Sequence, residues 1–518
     1  MAADTDRKDA IVSSESIQND EMEAINLDDP ALHASGKPDM PHQFTWASTL
    51  GISFSITNSW AGYLSNFGQT LAYGGPRLVI FGFICAFAVQ MITILGLSEL
   101  ASAFPSSGGQ YHFCYMLSPK KSRRFSAFVV GCMSVLAWWI VTASGISLVT
   151  ASLTGIVSFW RPEYIAENWH VYLIYLAVSV LTLIPLFTVP NKLHWIVQIA
   201  LYLSIAGMLL IFILSLALCE KKQPASFLLE DGFGTTGWND GTAWMLGVMN
   251  AMYAIAGTDA AIHISEELPQ PGRLVPQAMI MSVLLSLATC LPLFIALMFC
   301  MSDMDAVVRS ALPSLELIYQ ATQNRGVTTF LSVWLLIVYA ASIPSQWITC
   351  SRMAWSLARD ISSPTATYFS HVDPTLKFPV RTTLATLTFV AIYGLLYLAS
   401  TSAFSMITNC AVLFLNITYV VPQGIILISG RSAALPRRYL NLGWLGYVCN
   451  GFVVMWIVVL GVFVCLPLSL PVAVESMNYT CVVLVGLWGV VVGLWFGMGK
   501  RGFRGPKVEG DLGDLGSG

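Results

Sequence analysis

Between Trp46 and Met498 the chain alternates long apolar stretches with short polar interruptions, and twelve such stretches lie near 46–72, 77–101, 125–147, 170–190, 194–219, 242–266, 275–301, 326–348, 380–400, 404–429, 444–470 and 479–498. A helix of about 20 apolar residues crosses the roughly 30 Å hydrocarbon core of a bilayer, so the pattern predicts an all-α, polytopic membrane protein with twelve transmembrane helices. Residues 382–430 carry no charge over 49 positions. One helix of that length would overshoot the bilayer roughly twofold or more, so the run is divided at Ala399-Ser400-Thr401-Ser402.

Composition agrees, with 55% hydrophobic and 11% charged residues and a mean hydropathy of +0.67. Charge is unevenly spread: residues 1–44 hold ten acids against three bases, giving −7 within a whole-chain −3. This acidic segment cannot bury apolar surface and is expected to be a disordered cytoplasmic tail. Residues 45–500 form the predicted transmembrane domain, and 501–518 a second cytoplasmic tail. With both termini inside, 20 of the 26 Lys and Arg fall on the cytoplasmic side, leaving Arg77, Arg161, Lys221, Lys222, Arg309 and Arg325 outside, as the positive-inside rule requires. The blocks Pro119-Lys120-Lys121-Ser122-Arg123-Arg124 and Leu435-Pro436-Arg437-Arg438 read first as topology determinants and second as lipid-binding patches. No basic, apolar and small-residue succession of a removable signal opens the chain, so the first span is expected to direct insertion. Eleven cysteines without a C-x-x-C pair or a nearby His cluster read as small buried hydrophobes, and neither metal nor cofactor is expected.

Two spans contain sequences that a continuous membrane helix avoids. The first has Ser53-Phe54-Ser55-Ile56-Thr57-Asn58-Ser59-Trp60, and the sixth has Tyr253-Ala254-Ile255-Ala256-Gly257-Thr258-Asp259. Polar, unwound backbone at mid-membrane is tolerated only where it is buried in protein or lines a watery cavity. Because the two breaks are five spans apart, spans 1–5 and 6–10 enter from opposite sides, an inverted repeat of about 46–219 and 242–429 with two extra helices at 444–498. Discontinuous helices at matching positions of such repeats mark a midplane substrate site in a secondary transporter. Candidate binding residues are therefore Ser55, Thr57, Asn58, Trp60, Tyr253, Gly257 and Asp259. A carboxylate at that depth costs several kcal/mol, about 3 on insertion scales, unless paired or hydrated, which gives Asp259 a functional reading beside the alternative of capping the second half of its helix. One turn on, His263 either shares a proton with Asp259 or satisfies a core hydrogen bond. The rings of Trp60 and Tyr253 either face a cation or pack.

These residues carry a family resemblance. Phe54-Ser55-Ile56-Thr57-Asn58-Ser59-Trp60 with Gly74-Gly75-Pro76 resembles the first-helix region of fungal choline permeases. Ser98-Glu99-Leu100-Ala101-Ser102-Ala103-Phe104-Pro105-Ser106-Ser107-Gly108-Gly109 resembles an E-x-x-S-x-x-P-x-x-G-G motif. Asp259-Ala260-Ala261-Ile262-His263 with Glu266-Glu267, and Ser351-Arg352-Met353-Ala354-Trp355-Ser356-Leu357-Ala358-Arg359-Asp360, resemble the signatures of spans 6 and 8. The chain is similar to the GABA and choline permease branch of the amino acid–polyamine–organocation superfamily over most of residues 45–500. The resemblance implies a leucine-transporter-type fold, substrate held between broken spans 1 and 6 with contacts from spans 3, 8 and 10, and alternating access driven by an ion gradient, usually protons in fungi. Glu99, Glu266, Arg352 and Arg359 then fall at cytoplasmic helix ends, as gate pairs or as static anchors.

Many amino acid carriers of this superfamily place G-x-G at the first break, where bare N–H groups accept a carboxylate; here Ile56-Thr57-Asn58-Ser59 stands there. That difference favours a cationic amine such as choline, with Asp259 as counter-charge and Trp60 as aromatic wall. The proton carrier is left open among Asp259, His263 and Glu266. The expected function is proton-coupled uptake of choline or a related amine at the plasma membrane. Alternatives are a permease for GABA, neutral amino acids or polyamines, or a metabolite exporter. Partners are a small amine or amino acid, protons and lipid, with no nucleic acid, and no enzyme constellation of nucleophile, base or metal ligands is found.

Overall fold

The computed structural model describes residues 40–230, 235–399, 401–472 and 477–506. The acidic tail up to residue 39 and the last twelve residues, on which the two tail expectations fall, lie outside the described residues. Among the described residues eleven helical runs are long and apolar enough to cross a membrane. The first, Trp46–Ala103, has 58 residues, about 87 Å if straight at 1.5 Å per residue, far more than one crossing needs. It is interrupted twice. Helix α1 (Trp46–Thr57) ends at Asn58, which adopts the left-handed conformation at φ 34°, and α2 (Ser59–Ala103) is kinked where Gly74 and Gly75 leave helical geometry just before Pro76. Gly75 has φ 67°, a conformation that costs little only without a Cβ. The kink turns one run into two crossings and restores the count of twelve.

The remaining elements follow in order: α3 (Gln110–Leu117), α4 (Arg123–Trp160), α5 (Asn168–Thr188), α6 (Leu193–Leu218), α7 (Asp240–Met252), a 3₁₀ segment (Thr258–Glu267), α8 (Pro271–Cys300), α9 (Pro313–Thr322), α10 (Arg325–Arg359), α11 (Pro364–Phe369), α12 (Val380–Gly394), α13 (Thr401–Ser429), α14 (Trp444–Phe463) and α15 (Thr480–Leu494). No strand is formed among the described residues, which hold one isolated bridge between Ile361 and Phe503. The charge-free run 382–430 divides where expected, with a short helix ending at Ala399 and α13 starting at Thr401.

Burial sorts centre from rim. In the span formed by α7 and the 3₁₀ segment, 78% of the most apolar window is buried, against 6% for α15. The broken sixth span is thus the core of the bundle, and α15 faces the surroundings. Broken spans 1 and 6 run antiparallel. Ser53 of α1 donates to the Thr258 carbonyl at 3.0 Å, while Asn66 and Asn250 exchange side-chain to backbone bonds at 2.9 and 3.0 Å on the other side of the breaks. The half before one break therefore packs on the half after the other. Arg124 donates to the Phe503 and Lys500 carbonyls and Ser429 to the Leu117 carbonyl, which brings Lys120, Lys121, Arg123, Arg124, Arg431, Arg437, Arg438, Lys500 and Arg501 to one end of the bundle, called the basic end below.

Candidate functional site

Both breaks leave helix ends without continuing partners, and Gly257 makes the second possible: its φ is 83°, and a Cβ there would sit 3.2 Å from Ile56 Cγ2. A cavity of about 60 Å³ lies between the broken spans. Thr57, Asn58, Tyr253 and Gly257 line it, with Ser144 and Gly145 from α4, Tyr339, Ser342 and Gln346 from α10, and Leu415 from α13. Among the described residues no charged side chain lines the cavity. Carbonyl ends of α1 and of the Tyr253–Ile255 turn reach it, and the C-terminal end of a helix is the negative pole of its dipole. Gln346 contributes an orphan: its Oε1 is buried without a hydrogen-bond partner among the described residues. Gly145 allows the amide that close, since a Cβ there would meet Oε1 at 2.3 Å.

Away from the basic end a vestibule of about 360 Å³ adjoins the cavity, with Ser144, Leu148, Tyr253 and Val412 lining both. Tyr253 stands at this boundary and shares a 2.9 Å hydrogen bond with Ser144.

Asp259 is fully buried and does not line the cavity. Its Oδ2 accepts from Gln110 Nε2 at 2.7 Å and Trp138 Nε1 at 3.4 Å, and lies 3.4 Å from His263 Nε2; its Oδ1 accepts from the Tyr419 hydroxyl at 2.6 Å. His263 is held on its other nitrogen by the Ser107 carbonyl at 3.0 Å. The carboxylate thus sits one layer behind the cavity, where α3, α4, α13 and the 3₁₀ segment meet. Its oxygens are taken up by side chains, so the arrangement differs from a helix cap.

Trp60 and Ser55 also point elsewhere. Trp60 is fully buried and donates to Ser204 Oγ of α6 at 2.9 Å, and Ser204 donates to Asn58 Oδ1 at 2.6 Å. The tryptophan therefore fixes the left-handed Asn58 through one intervening hydroxyl. Ser55 pairs with Ser345 of α10 at 2.8 Å.

The basic end is closed by ion pairs. Glu266 receives both terminal nitrogens of Arg359 at 3.0 Å, and Glu267 receives Arg352 Nε at 2.7 Å with both side chains fully buried. Arg352 and Arg359 are seven residues apart, two turns of α10, and so share the face that meets the two adjacent acids. Glu99 binds Arg431 and also Arg438, whose Nε lies 2.9 Å away. Backbone N–H groups of Gln43 and Phe44 add a clasp on the Glu267 carbonyl at 3.1 and 3.4 Å. Sequence reasoning placed four of these charges at helix ends and missed Glu267, Arg431 and Arg438 as partners. It also missed Gln110, Trp138, Tyr419 and Gln346. Gln110 follows directly on the Gly108-Gly109 pair and was within reach; the other three have no local signal.

A central cavity between two antiparallel broken helices, open through a vestibule at one end and sealed by ion pairs at the other, is an alternating-access geometry. The comparisons agree with it. Residues 44–487 match the family model described as amino acid permease. A choline transporter of Saccharomyces cerevisiae is 31% identical over 481 residues, covering 92% of this chain and 84% of that one. A transmembrane transporter of Metarhizium robertsii is 27% identical, covering 89% of this chain and 92% of its own length. The 7-keto 8-aminopelargonic acid transporter of Saccharomyces cerevisiae is 26% identical, with 86% and 91% covered. With the match running through both broken spans and every ion pair of the basic end, this chain belongs to the amino acid permease family.

Proposed function

We propose that this protein is a secondary transporter that takes up choline or a related small amine across the plasma membrane, coupled to protons, with both termini in the cytoplasm. The observation that carries the reading is the lining of the cavity between the breaks. Tyr253 and Tyr339 contribute aromatic rings to the lining, the helix ends offer carbonyls, and among the described residues neither lysine nor arginine lines it to repel a cation. Gln346 Oε1 is the acceptor for a substrate hydroxyl or N–H. The similarity to a choline transporter supports the same substrate class.

On this reading the basic end is cytoplasmic and the structure is outward-facing. A substrate passing Tyr253 enters from the vestibule, and inward release requires the Glu266–Arg359 and Glu267–Arg352 pairs to part. Parting these pairs leaves each charge short of its partner, so release needs compensation from new contacts, from water or from a proton. Asp259 and His263 are the proton-carrying pair in this scheme, because they lie between cavity and gate. An alternative is a different amine cargo such as GABA, a neutral amino acid or a polyamine, or export of a metabolite; it is favoured by relatives named for 7-keto 8-aminopelargonic acid and swainsonine.

Uptake of radiolabelled choline in cells lacking their own amine permeases, at two external pH values and with excess unlabelled GABA, tests the proposal. Saturable uptake, faster at the lower pH and indifferent to GABA, is expected. Displacement by GABA would transfer the assignment to a zwitterion, and pH-independent uptake would remove the proton.

A further inference from the structure

A further cavity, of about 280 Å³, opens on the flank of the bundle and shares no lining residue with the central cavity or the vestibule. It is a groove at the basic end, walled by Phe128, Cys132, Leu136 and Trp139 on one face of α4, by Leu357 of α10 and Leu494 of α15, with α11 and α12 closing the rest. Among the described residues no charged side chain lines it. Phe128 and Trp139 are eleven steps apart, about 16 Å along a helix, which is about half of the roughly 30 Å hydrocarbon thickness. The groove is therefore as deep as one leaflet. Its edge is formed by α15, the span with least buried surface, so it faces lipid.

Cations crowd the mouth. Lys120, Lys121, Arg124, Lys500 and Arg501 are exposed there, and Arg124 is tied to the Phe503 and Lys500 carbonyls at 2.7 and 3.2 Å, which locks the start of α4 to the turn after α15. Neither stretch 110–160 nor 480–506 contains an acidic residue. A basic patch above an apolar slot of single-leaflet depth is complementary to an amphiphile with an anionic head. The chain's own acidic tail supplies the charge but has no apolar run longer than three residues in positions 1–39 to fill the slot.

We propose that this groove binds one acyl chain of an anionic phospholipid from the leaflet at the basic end, its phosphate held by Arg124, Lys500 and Arg501. The assignment does not depend on the transported substrate. The test uses the full chain in mild detergent, titrated with phosphatidylserine or phosphatidylcholine of identical chains and read by native mass spectrometry. Each surface cation favours an anionic lipid by about fivefold, so wild type is expected to retain phosphatidylserine at least about fivefold better. The exposed double substitution Lys500→Gln/Arg501→Gln should weaken that preference, with Arg124 left in place, while Ala385→Trp, which fills the slot and keeps every charge, should lower retention of both lipids. Equal retention of the two lipids by wild type overturns the proposal, as does full binding by the filled groove. A chain dimer abolished by Ala385→Trp would assign the groove to a second copy, and carbodiimide cross-links from Lys500 to acidic residues of the tail would assign the patch to the tail; either result overturns it.

Discussion

Tyr419 donates its hydroxyl to Oδ1 of Asp259 at 2.6 Å, joining α13 to the 3₁₀ half of the sixth span. With Gln110 and Trp138 on the other oxygen, three neutral donors from three separate elements converge on one buried carboxylate. An unsatisfied buried acceptor costs about 1–3 kcal/mol. Tyr419→Phe is therefore expected to lower uptake about tenfold, and Asp259→Asn to abolish it, with surface expression retained in both. Wild-type uptake by Asp259→Asn, measured beside a cell-surface blot, would take Asp259 out of the mechanism.

Gln346 makes a prediction about selectivity. If its free Oε1 accepts the substrate hydroxyl, Gln346→Leu should weaken choline uptake by about tenfold and leave a quaternary amine lacking the hydroxyl unaffected. Competition by tetramethylammonium against choline in both variants gives the comparison, and an equal loss for both ligands would assign Gln346 to packing.

The gate is tested by reversal of charge. Glu266→Arg or Arg359→Glu alone leaves like charges facing each other in a part-buried pair and is expected to cut uptake by about tenfold or more. The double reversal should recover a measurable part. No recovery at normal surface level would show that the two positions do not act as a pair.

Gly257 is held at φ 83°. A left-handed conformation costs a residue with a Cβ roughly 1–2 kcal/mol, and here the methyl would also press on Ile56. Gly257→Ala should thus reduce uptake and raise KM, because it narrows the break that forms the cavity. An unchanged KM would mean that the cavity lies elsewhere.

His112, on α3 outside the spans, has its imidazole pushed down to about 4, by burial first and by the Arg359 charge second. In an unfolded chain it titrates near 6.5, so the unfolded state takes up the proton first as pH falls. Stability is complete above about 6.5 and declines as pH drops toward 4, by on the order of 3 kcal/mol. Thermal melts in detergent across that window should show this decline, and His112→Gln should flatten it. An equal slope in the variant would place the sensitivity on other groups.

The number of crossings, the uneven charge of the loops, the two breaks and the acid at the second were all fixed by local sequence, because each rests on run length, backbone freedom or a charge in an apolar stretch. Which partners meet was decided only by tertiary structure. In a membrane helix the face toward lipid and the face toward protein are both apolar, so periodicity gives little sign of which way a side chain turns. Trp60 accordingly turns to Ser204 while Tyr253 meets the cavity, and Asp259 finds Tyr419 from 160 residues away. The same holds at the gate: Glu266 and Glu267 are indistinguishable in the sequence, and only the register of α10 against the 3₁₀ segment assigns one to Arg359 and the other to Arg352.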